Sequence, residues 1–237
     1  MPRPPLPPFT LDIATDKLCP TSGRHNDKRQ MDNDNMIASD VAFTAPVKAL
    51  QSRKGSRHAY ARMEQGDGWQ TTITEDLKAE IESQISVFLA TANSEGQPYI
   101  QHRGGPPGFL HVLDDKTIAF ADFAGNRQFI TQGNLSENPK AHLFLIDYAE
   151  RRRIKIWGTA QVVEDDAALM AKLMPTGYKA RPEQVVLFNV TAWDVNCPQH
   201  IPQRFEAADV KAALAARDLR ISELEAQVAR LRGGDSS

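Results

Sequence analysis

The residues best suited to chemistry lie at a turn that contains Asn126 and Arg127. The pattern around it predicts a strand over 118–121, this small-residue turn, and then an amphipathic helix that ends at Asn138 and Pro139. Asn126 is expected to cap the helix, because its side-chain oxygen can accept a first-turn N–H. A helix N-terminus beside a guanidinium attracts anions, so the stretch predicts a phosphate site. The alternative is an ordinary strand, turn and helix with one surface arginine.

Three other side chains are candidates for lining a substrate pocket. Cys197 and His200 lie three residues apart in NCPQH. A thiol near an imidazole can be activated as a nucleophile, although a structural role in a rigid proline-containing loop is the alternative. Two ligands without a matching pair do not predict a metal site. His102 can donate a hydrogen bond to a ligand or serve as an ordinary strand histidine. No general base stands out, so the catalytic residue is left unassigned.

Most elements that must position these residues are predicted to be strands. Alternating apolar residues separated by turn residues predict them over 87–91, 98–102, 109–113, 118–121, 141–146, 152–163 and 185–195. Hairpin connections, with one long connection through a helix, favour a small closed antiparallel barrel with flanking helices. Thr74 is expected to cap a helix that runs to Gln84. Gly158 is expected to form a bulge or a corner in its strand.

The composition divides the chain into four parts. Residues 1–40 are rich in proline and then polar, so they are predicted to be disordered. Residues 41–205 form the predicted barrel domain, and 206–232 a separate amphipathic helix. Residues 233–237 form a predicted disordered tail.

The C-terminal helix has apolar residues at alternating steps of three and four between 210 and 231, with Arg217 in one of these positions. This spacing predicts about three heptads of a coiled-coil-like helix. Packing against the barrel and pairing with another chain are both compatible with the pattern. The narrow apolar stripe and the charged remaining surface favour self-pairing.

The whole-chain composition limits the function classes. The chain has 28 basic and 30 acidic residues, so its charge is nearly balanced. It therefore has no strong positive electrostatic field that would indicate a nucleic-acid partner. No apolar run approaches the roughly 20 residues of a membrane-spanning helix. The N-terminal residues lack the apolar core of a signal peptide, and two cysteines do not form a disulfide framework. We therefore expect a cytoplasmic protein without nucleic-acid or membrane partners.

Several stretches carry a resemblance to a known family: FLATANSEGQPYIQHRGG, FADFAGNRQF, NLSENPKAHLFL and RRRIKIWGTAQVV. Together they resemble the pyridoxamine 5′-phosphate oxidase-like, FMN-binding split-barrel family. The later stretch AWDVNCPQHIPQRF is similar to one subgroup rather than to the pyridoxine-phosphate oxidases proper. The resemblance implies a mainly β split barrel and a homodimer that holds FMN in a groove between its subunits.

The resemblance also implies a set of cofactor-binding positions. Asn126, Arg127 and Gln128 stand where the oxidases have a phosphate-binding Ser-Arg-Lys. Arg127 thus keeps the main cation, and Gln128 replaces a lysine. The full set implied is Arg103, Ala121, Asp122, Asn126, Arg127, Gln128 and Arg153. Arg103 and Arg127 together are expected to balance a phosphate dianion.

The function implied is FMN-dependent oxidoreduction, in which a reduced donor passes a hydride or electrons to oxygen or a small organic acceptor. The oxidases' C-terminal segment that grips pyridoxal phosphate has no counterpart after Phe205, so pyridoxine-phosphate oxidation is not implied. A non-catalytic flavin-binding protein, for storage, sensing or docking, is one alternative. A barrel that binds a deazaflavin or haem is another, with His102, His111, His142 or His200 as candidate axial ligands.

Overall fold

The computed structural model describes residues 37–66 and 68–234. Most of the predicted disordered segment and residues 235–237 lie outside the described residues. The described chain begins with a 3-10 turn, Ala38–Val41, in which Ser39 is buried. Ordered structure therefore starts before the predicted boundary at residue 41.

The described chain contains six α-helices and seven strands. The helices are α1 (Ala45–Lys54), α2 (Arg57–Gln65), α3 (Glu75–Ser83), α4 (Ile130–Glu137), α5 (Ala167–Leu173) and α6 (Ala207–Gly234). The strands are β1 (Ser86–Ala92), β2 (Pro98–Gly104), β3 (His111–Val112), β4 (Thr117–Phe123), β5 (Lys140–Asp147), β6 (Arg152–Val163) and β7 (Pro182–Asn196). All seven predicted strands are present, and Thr74 caps α3 by accepting the Leu77 N–H at 3.2 Å.

The strands form one antiparallel sheet in the order β2-β1-β5-β6-β7-β4-β3. The edge strands β2 and β3 do not pair with each other, so the barrel that the hairpin pattern predicted as closed is open along one seam. This is the split arrangement that the family resemblance implied. β7 begins at Pro182, earlier than predicted, so Pro182 and Glu183 belong to a strand rather than to a turn or a helix start.

The core lies on the inward face of the sheet, because alternate residues of β1, β5 and β6 are buried. Leu89, Leu143 and Ile156 are fully buried there, and Leu77 and Ile81 of α3 pack into the same core. The register between β6 and β7 shifts at Gly158, which confirms the predicted bulge.

An aromatic cluster on the outer face joins the N-terminal helices to the sheet. The Trp69 ring stacks on Trp157 with centroids 4.4 Å apart, and the His142 ring meets Trp157 edge-on at 4.9 Å. Burial, together with the positive charge of Lys155, lowers the pKa of His142 to about 4. His142 is therefore neutral at pH 7.

This pKa predicts a pH-dependent stability. Below pH 6.5 the unfolded chain binds a proton at His142 that the folded chain excludes until about pH 4. The free energy of unfolding should therefore fall as the pH drops from 6.5 towards 4, by about 2 kcal/mol after allowing for partial exposure of the ring. Urea unfolding at pH 7 and pH 4.5 measures this change. His142→Gln should reduce the pH dependence, and His58→Gln, on the exposed side of α2, should not. An unchanged pH dependence in His142→Gln would contradict the assignment.

Helix α6 confirms the predicted C-terminal helix and continues to Gly234. Every side chain from Val210 to Arg232 is exposed, so the stripe does not pack against the described part of the barrel.

Candidate functional site

A cleft of about 250 Å³ lies at the seam of the barrel. Strand β2, the ends of β4 and β7, and the loop 123–129 border it, and we call it the seam cleft. Of the predicted cofactor-binding residues, five line it: Arg103, Asp122, Asn126, Arg127 and Gln128. Ala121 does not line the cleft, because its methyl group packs with Leu173 and Val185 in a small buried cluster.

Arg103 is anchored by a buried carboxylate across the seam. Its Nε forms an ion pair with Asp122 Oδ1, and one terminal nitrogen donates to Asp122 Oδ2 at 3.3 Å. Gln184 Nε2 donates to the same Oδ2 at 3.0 Å, since Asp122 and Gln184 are paired across β4 and β7. The other terminal nitrogen donates to the His102 carbonyl at 3.2 Å. Asp122 lies within β4, not in the turn that the sequence predicted.

Arg127 is the exposed cation of the cleft, in contrast to Arg103. Its side chain is 66% exposed, and its Nε lies 3.6 Å from Glu183 Oε1. Its guanidinium carbon lies 5.5 Å from the centre of the Phe129 ring. A contact this long and this exposed contributes little stability, so Arg127 can turn towards an anion at low cost.

The predicted cap at Asn126 is wrong. Arg127 and Phe129 both have positive φ, 58° and 54°, which prevents the helix from starting at the turn. α4 therefore begins at Ile130, and Asn126 Oδ1 instead accepts the Gln128 N–H at 3.3 Å within the turn. Of the apolar residues that suggested an amphipathic helix here, Phe129 and Ile130 are 45% and 39% exposed, whereas Leu135 is buried.

The first turn of α4 nevertheless faces the cleft. Ile130, Thr131 and Gln132 line it, and the first N–H groups of a helix have no partner within the helix. Thr131 Oγ1 bonds Gln101 at 3.2 Å, and the buried Asn134 donates to Thr91 at 3.0 Å. These two bonds hold α4 against β1 and β2, so its N-terminus has a defined position.

Of the remaining predicted residues, His102 borders the cleft and the others lie elsewhere. The Nε2 of His102 lies 2.8 Å from Ser86 Oγ, and its ring packs edge-on against Phe88. Arg153, on β6, donates to the Cys197 carbonyl at 3.3 Å. Arg153 is paired with Asn196 at the far end of β7.

The chain therefore does not bring Arg153, Cys197 and His200 to its own seam cleft. Gln184 borders the cleft near the start of β7, and Asn196 ends the same strand. Twelve residues of extended strand span about 40 Å. The register of β6 against β7 thus separates Arg153 from the seam cleft of its own subunit.

The charges of the cleft are more balanced than the sequence predicted. Two arginines face two carboxylates, Asp122 and Glu183, neither of which was predicted to be their partner. The buried Arg103 pair is close to neutral and offers hydrogen-bond donors, whereas the exposed Arg127 and the α4 N-terminus offer positive potential. These groups fit a phosphate at the α4 end of the cleft.

Metal binding finds no support in the described residues. Within 37–66 and 68–234, no three His, Cys, Asp or Glu side chains cluster as a metal site requires. None of the helices in this part of the chain is long and apolar enough to cross a membrane.

Comparison with known proteins gives a family match. A family model described as pyridoxamine 5′-phosphate oxidase matches residues 73–197, more than half of the chain. No curated protein matches the sequence significantly.

Three solved structures are among those similar to part of this chain. An FMN-binding protein from Syntrophomonas wolfei is 14% identical, with a TM-score of 0.39, over 63% of this chain and 97% of that one. An F420 reductase is 20% identical, with a TM-score of 0.36, over 48% of this chain and 92% of that one. The heme storage protein HutZ from Vibrio cholerae is 15% identical, with a TM-score of 0.35, over 52% and 94%. At these identities and scores we draw no conclusion about the ligand of this chain.

Proposed function

We propose that this chain, which belongs to the pyridoxamine 5′-phosphate oxidase family, is an FMN-dependent oxidoreductase. It would act on a small-molecule donor and pass electrons to oxygen or a small organic acceptor. The observation that carries the proposal is the seam cleft, where Arg127 and the α4 N-terminus meet on a seam bridged by Arg103 and Asp122. The small number of cysteines, two, supports a reducing compartment, and we propose the cytoplasm.

The phosphate of FMN would be held at the α4 end of the cleft. Arg127 supplies a guanidinium that can swing from Glu183 to the phosphate, and the first N–H groups of α4 add donors. Arg103 would contribute its remaining N–H groups from a fixed position, because Asp122 holds its Nε edge. Asn126 and Gln128 would shape the turn, because the Gln128 N–H donates a hydrogen bond to Asn126 Oδ1.

The proposed active form is a homodimer with the flavin between subunits. The family resemblance implies this arrangement, and the distance of Arg153, Cys197 and His200 from the seam cleft of their own subunit supports it. Arg153, Cys197 and His200 lie about 40 Å along β7 from the cleft of their own subunit. They can contribute to a site only if a second subunit brings them to the cleft of the first.

The residues of the cleft bind and orient rather than transfer protons. Asp122 is engaged by Arg103 and Gln184, Glu183 faces Arg127, and His102 is bonded to Ser86. Bound FMN would supply the hydride and electron chemistry of the reaction. The chain would fix the position of FMN and shield one face of it from water.

The proposal predicts a yellow protein. The full-length chain as purified should show a flavin absorption spectrum and should release FMN on heating, identified by mass spectrometry. The apoprotein should take up added FMN. Steady-state oxidation of reduced nicotinamides, with several acceptors, then tests turnover. Bound FMN without turnover for any pair would favour the storage or sensor alternative. Release of a deazaflavin or haem, or failure to bind FMN, would overturn the proposal.

Arg127→Ala is expected to weaken FMN binding roughly 10- to 100-fold, as the loss of a charge-assisted hydrogen bond worth about 1.5–3 kcal/mol predicts. Fluorescence titration of the apoprotein with FMN and with riboflavin measures the effect. Because riboflavin lacks the phosphate, its affinity should change little.

Arg53→Ala is the matched control for this variant. Arg53 is also an exposed arginine, but it lies on α1 and does not line the cleft, so its replacement makes the same change in side chain elsewhere on the surface. Equal effects of the two substitutions on FMN affinity would remove Arg127 from the phosphate site.

A further inference from the structure

Helix α6 has an apolar stripe that no described part of its own chain covers. Leu214, Leu224 and Leu231 are 56%, 43% and 68% exposed. The stripe runs from Val210 to Leu231, about 33 Å at 1.5 Å per residue. We propose that α6 pairs with α6 of a second copy of this chain as a parallel two-stranded coiled coil.

The spacing of the stripe assigns each residue a heptad position. Steps of four and three alternate along it, as in a coiled-coil seam. The a positions are Leu214, Ile221 and Val228, and the d positions are Val210, Arg217, Leu224 and Leu231. The last two heptads thus have β-branched residues at a and leucine at d, the combination that favours two parallel strands.

The charges beside the seam are complementary in the parallel arrangement. Arg220 occupies a g position and Glu225 the following e position, and these positions meet across a parallel pair. Each Arg220 would therefore pair with Glu225 of the partner helix, in addition to Glu223 of its own helix, which it contacts at 2.9 Å. Arg217, the one charged residue in the seam, would lie close to Asp218 at the adjoining e position of the partner helix.

The antiparallel arrangements bring like charges together. In one antiparallel register, each a residue faces a d residue of the partner helix: Leu214 faces Leu231, Ile221 faces Leu224 and Val228 faces Arg217. This register places Asp218 opposite Glu225 and Lys211 opposite Arg232. Shifting the helices by one heptad places Arg220 opposite Arg220 of the partner helix. Like charges across the seam disfavour both registers. The charge pattern therefore selects the parallel pair.

The pairing would place two barrels on the same end of a coiled coil with two-fold symmetry. A three-heptad seam that contains an arginine is weak by itself, and any contact between the barrels would strengthen it by raising the local concentration of α6. α6 contains no residue of the seam cleft, so loss of FMN binding and loss of helix pairing are separate results.

Cysteine cross-linking of the full chain tests the proposal. In a Cys19→Ser/Cys197→Ser background, Leu231→Cys should form a disulfide-linked dimer under mild oxidation at low micromolar concentration. Ala226→Cys, at the outward f position of the same exposed helix, is the control and should cross-link at least about tenfold more slowly, because d–d′ pairs lie within disulfide distance and f–f′ pairs do not. An antiparallel pair would hold the two Leu231 positions about 26 Å apart.

Equal cross-linking of the two variants, or no dimer with Leu231→Cys, would overturn the proposal. A charge exchange gives a second, independent result. In the Leu231→Cys background, Arg220→Glu should slow cross-linking about threefold or more, and Arg220→Glu/Glu225→Arg should restore it. Failure of the double exchange to restore the rate would reject the parallel register. The substituted positions on α6 are all exposed, and an unchanged thermal transition of the barrel confirms that each variant is folded.

Discussion

Replacing Asp122 by alanine is expected to lower the free energy of unfolding by about 3–5 kcal/mol, because a buried charge would lose its partner. The side chains of Arg103 and Asp122 are only 16% and 8% exposed. Asp122 accepts hydrogen bonds from both Arg103 and Gln184, so its removal leaves two buried donors without their acceptor. The pair also ties β2 to β4 across the seam, where no backbone ladder connects these strands.

Urea unfolding at pH 7 measures the effect, and two controls separate its causes. Arg103→Met/Asp122→Leu removes both charges and should recover most of the lost stability, because the cost lies in the unpaired partner. Glu183→Ala breaks the exposed contact with Arg127 and should cost less than about 1 kcal/mol. A loss below 1 kcal/mol for Asp122→Ala, or a double variant no more stable than the single one, would contradict the account.

The same pair affects how the cleft can bind an anion. Asp122 cancels most of the charge of Arg103 but fixes the direction of its guanidinium. Arg127 has the opposite properties, because it keeps its charge accessible and its direction free. One fixed donor and one exposed cation, with the α4 N-terminus, would together hold the phosphate of the proposed FMN.

The sequence predicted the elements of the fold better than their ends. Alternation of apolar residues located all seven strands, because burial on one face of a sheet imposes a period of two. The bulge at Gly158 was predicted correctly, because a glycine in the interior of a strand often marks a bulge or a tight bend. The seam was visible only through the family resemblance, since hairpin patterns show which strands pair locally and not whether the edges meet.

The sequence predicted the two arginines of the candidate site but not the carboxylates that they contact. Asp122 meets Gln184, 62 residues later, through the register of β4 against β7, which no local pattern specifies. The predicted cap at Asn126 failed because the positive φ of Arg127 and Phe129 overrides side-chain preference. The sequence could not show how far Arg153 lies from the cleft of its own subunit, because the pairing of β6 with the far end of β7 sets this distance.

Gly158→Ala is the second substitution expected to have a large effect, a loss of more than about 3 kcal/mol of unfolding free energy. A methyl group at this position would overlap the backbone carbonyl of Asn189 and would lie 2.6 Å from the Phe188 ring. Phe188 is fully buried and packs in the main core, so it cannot turn away without opening a cavity. The bulge places β7 against Gly158 here, because Trp157 pairs with Ala192 and Gly158 with Val190.

Gly133→Ala is the control that separates this clash from the general effect of adding a methyl group. Gly133 lies inside α4 with open space around its missing Cβ, so alanine there should stabilise the protein by about 0.5–1 kcal/mol. The two variants make the same chemical change with opposite expected signs, and urea unfolding measures both. If Gly158→Ala were as stable as the unchanged protein, β6 and β7 would have to separate at the bulge without loss. The close packing of Phe188 against this strand would then not contribute to holding the barrel together.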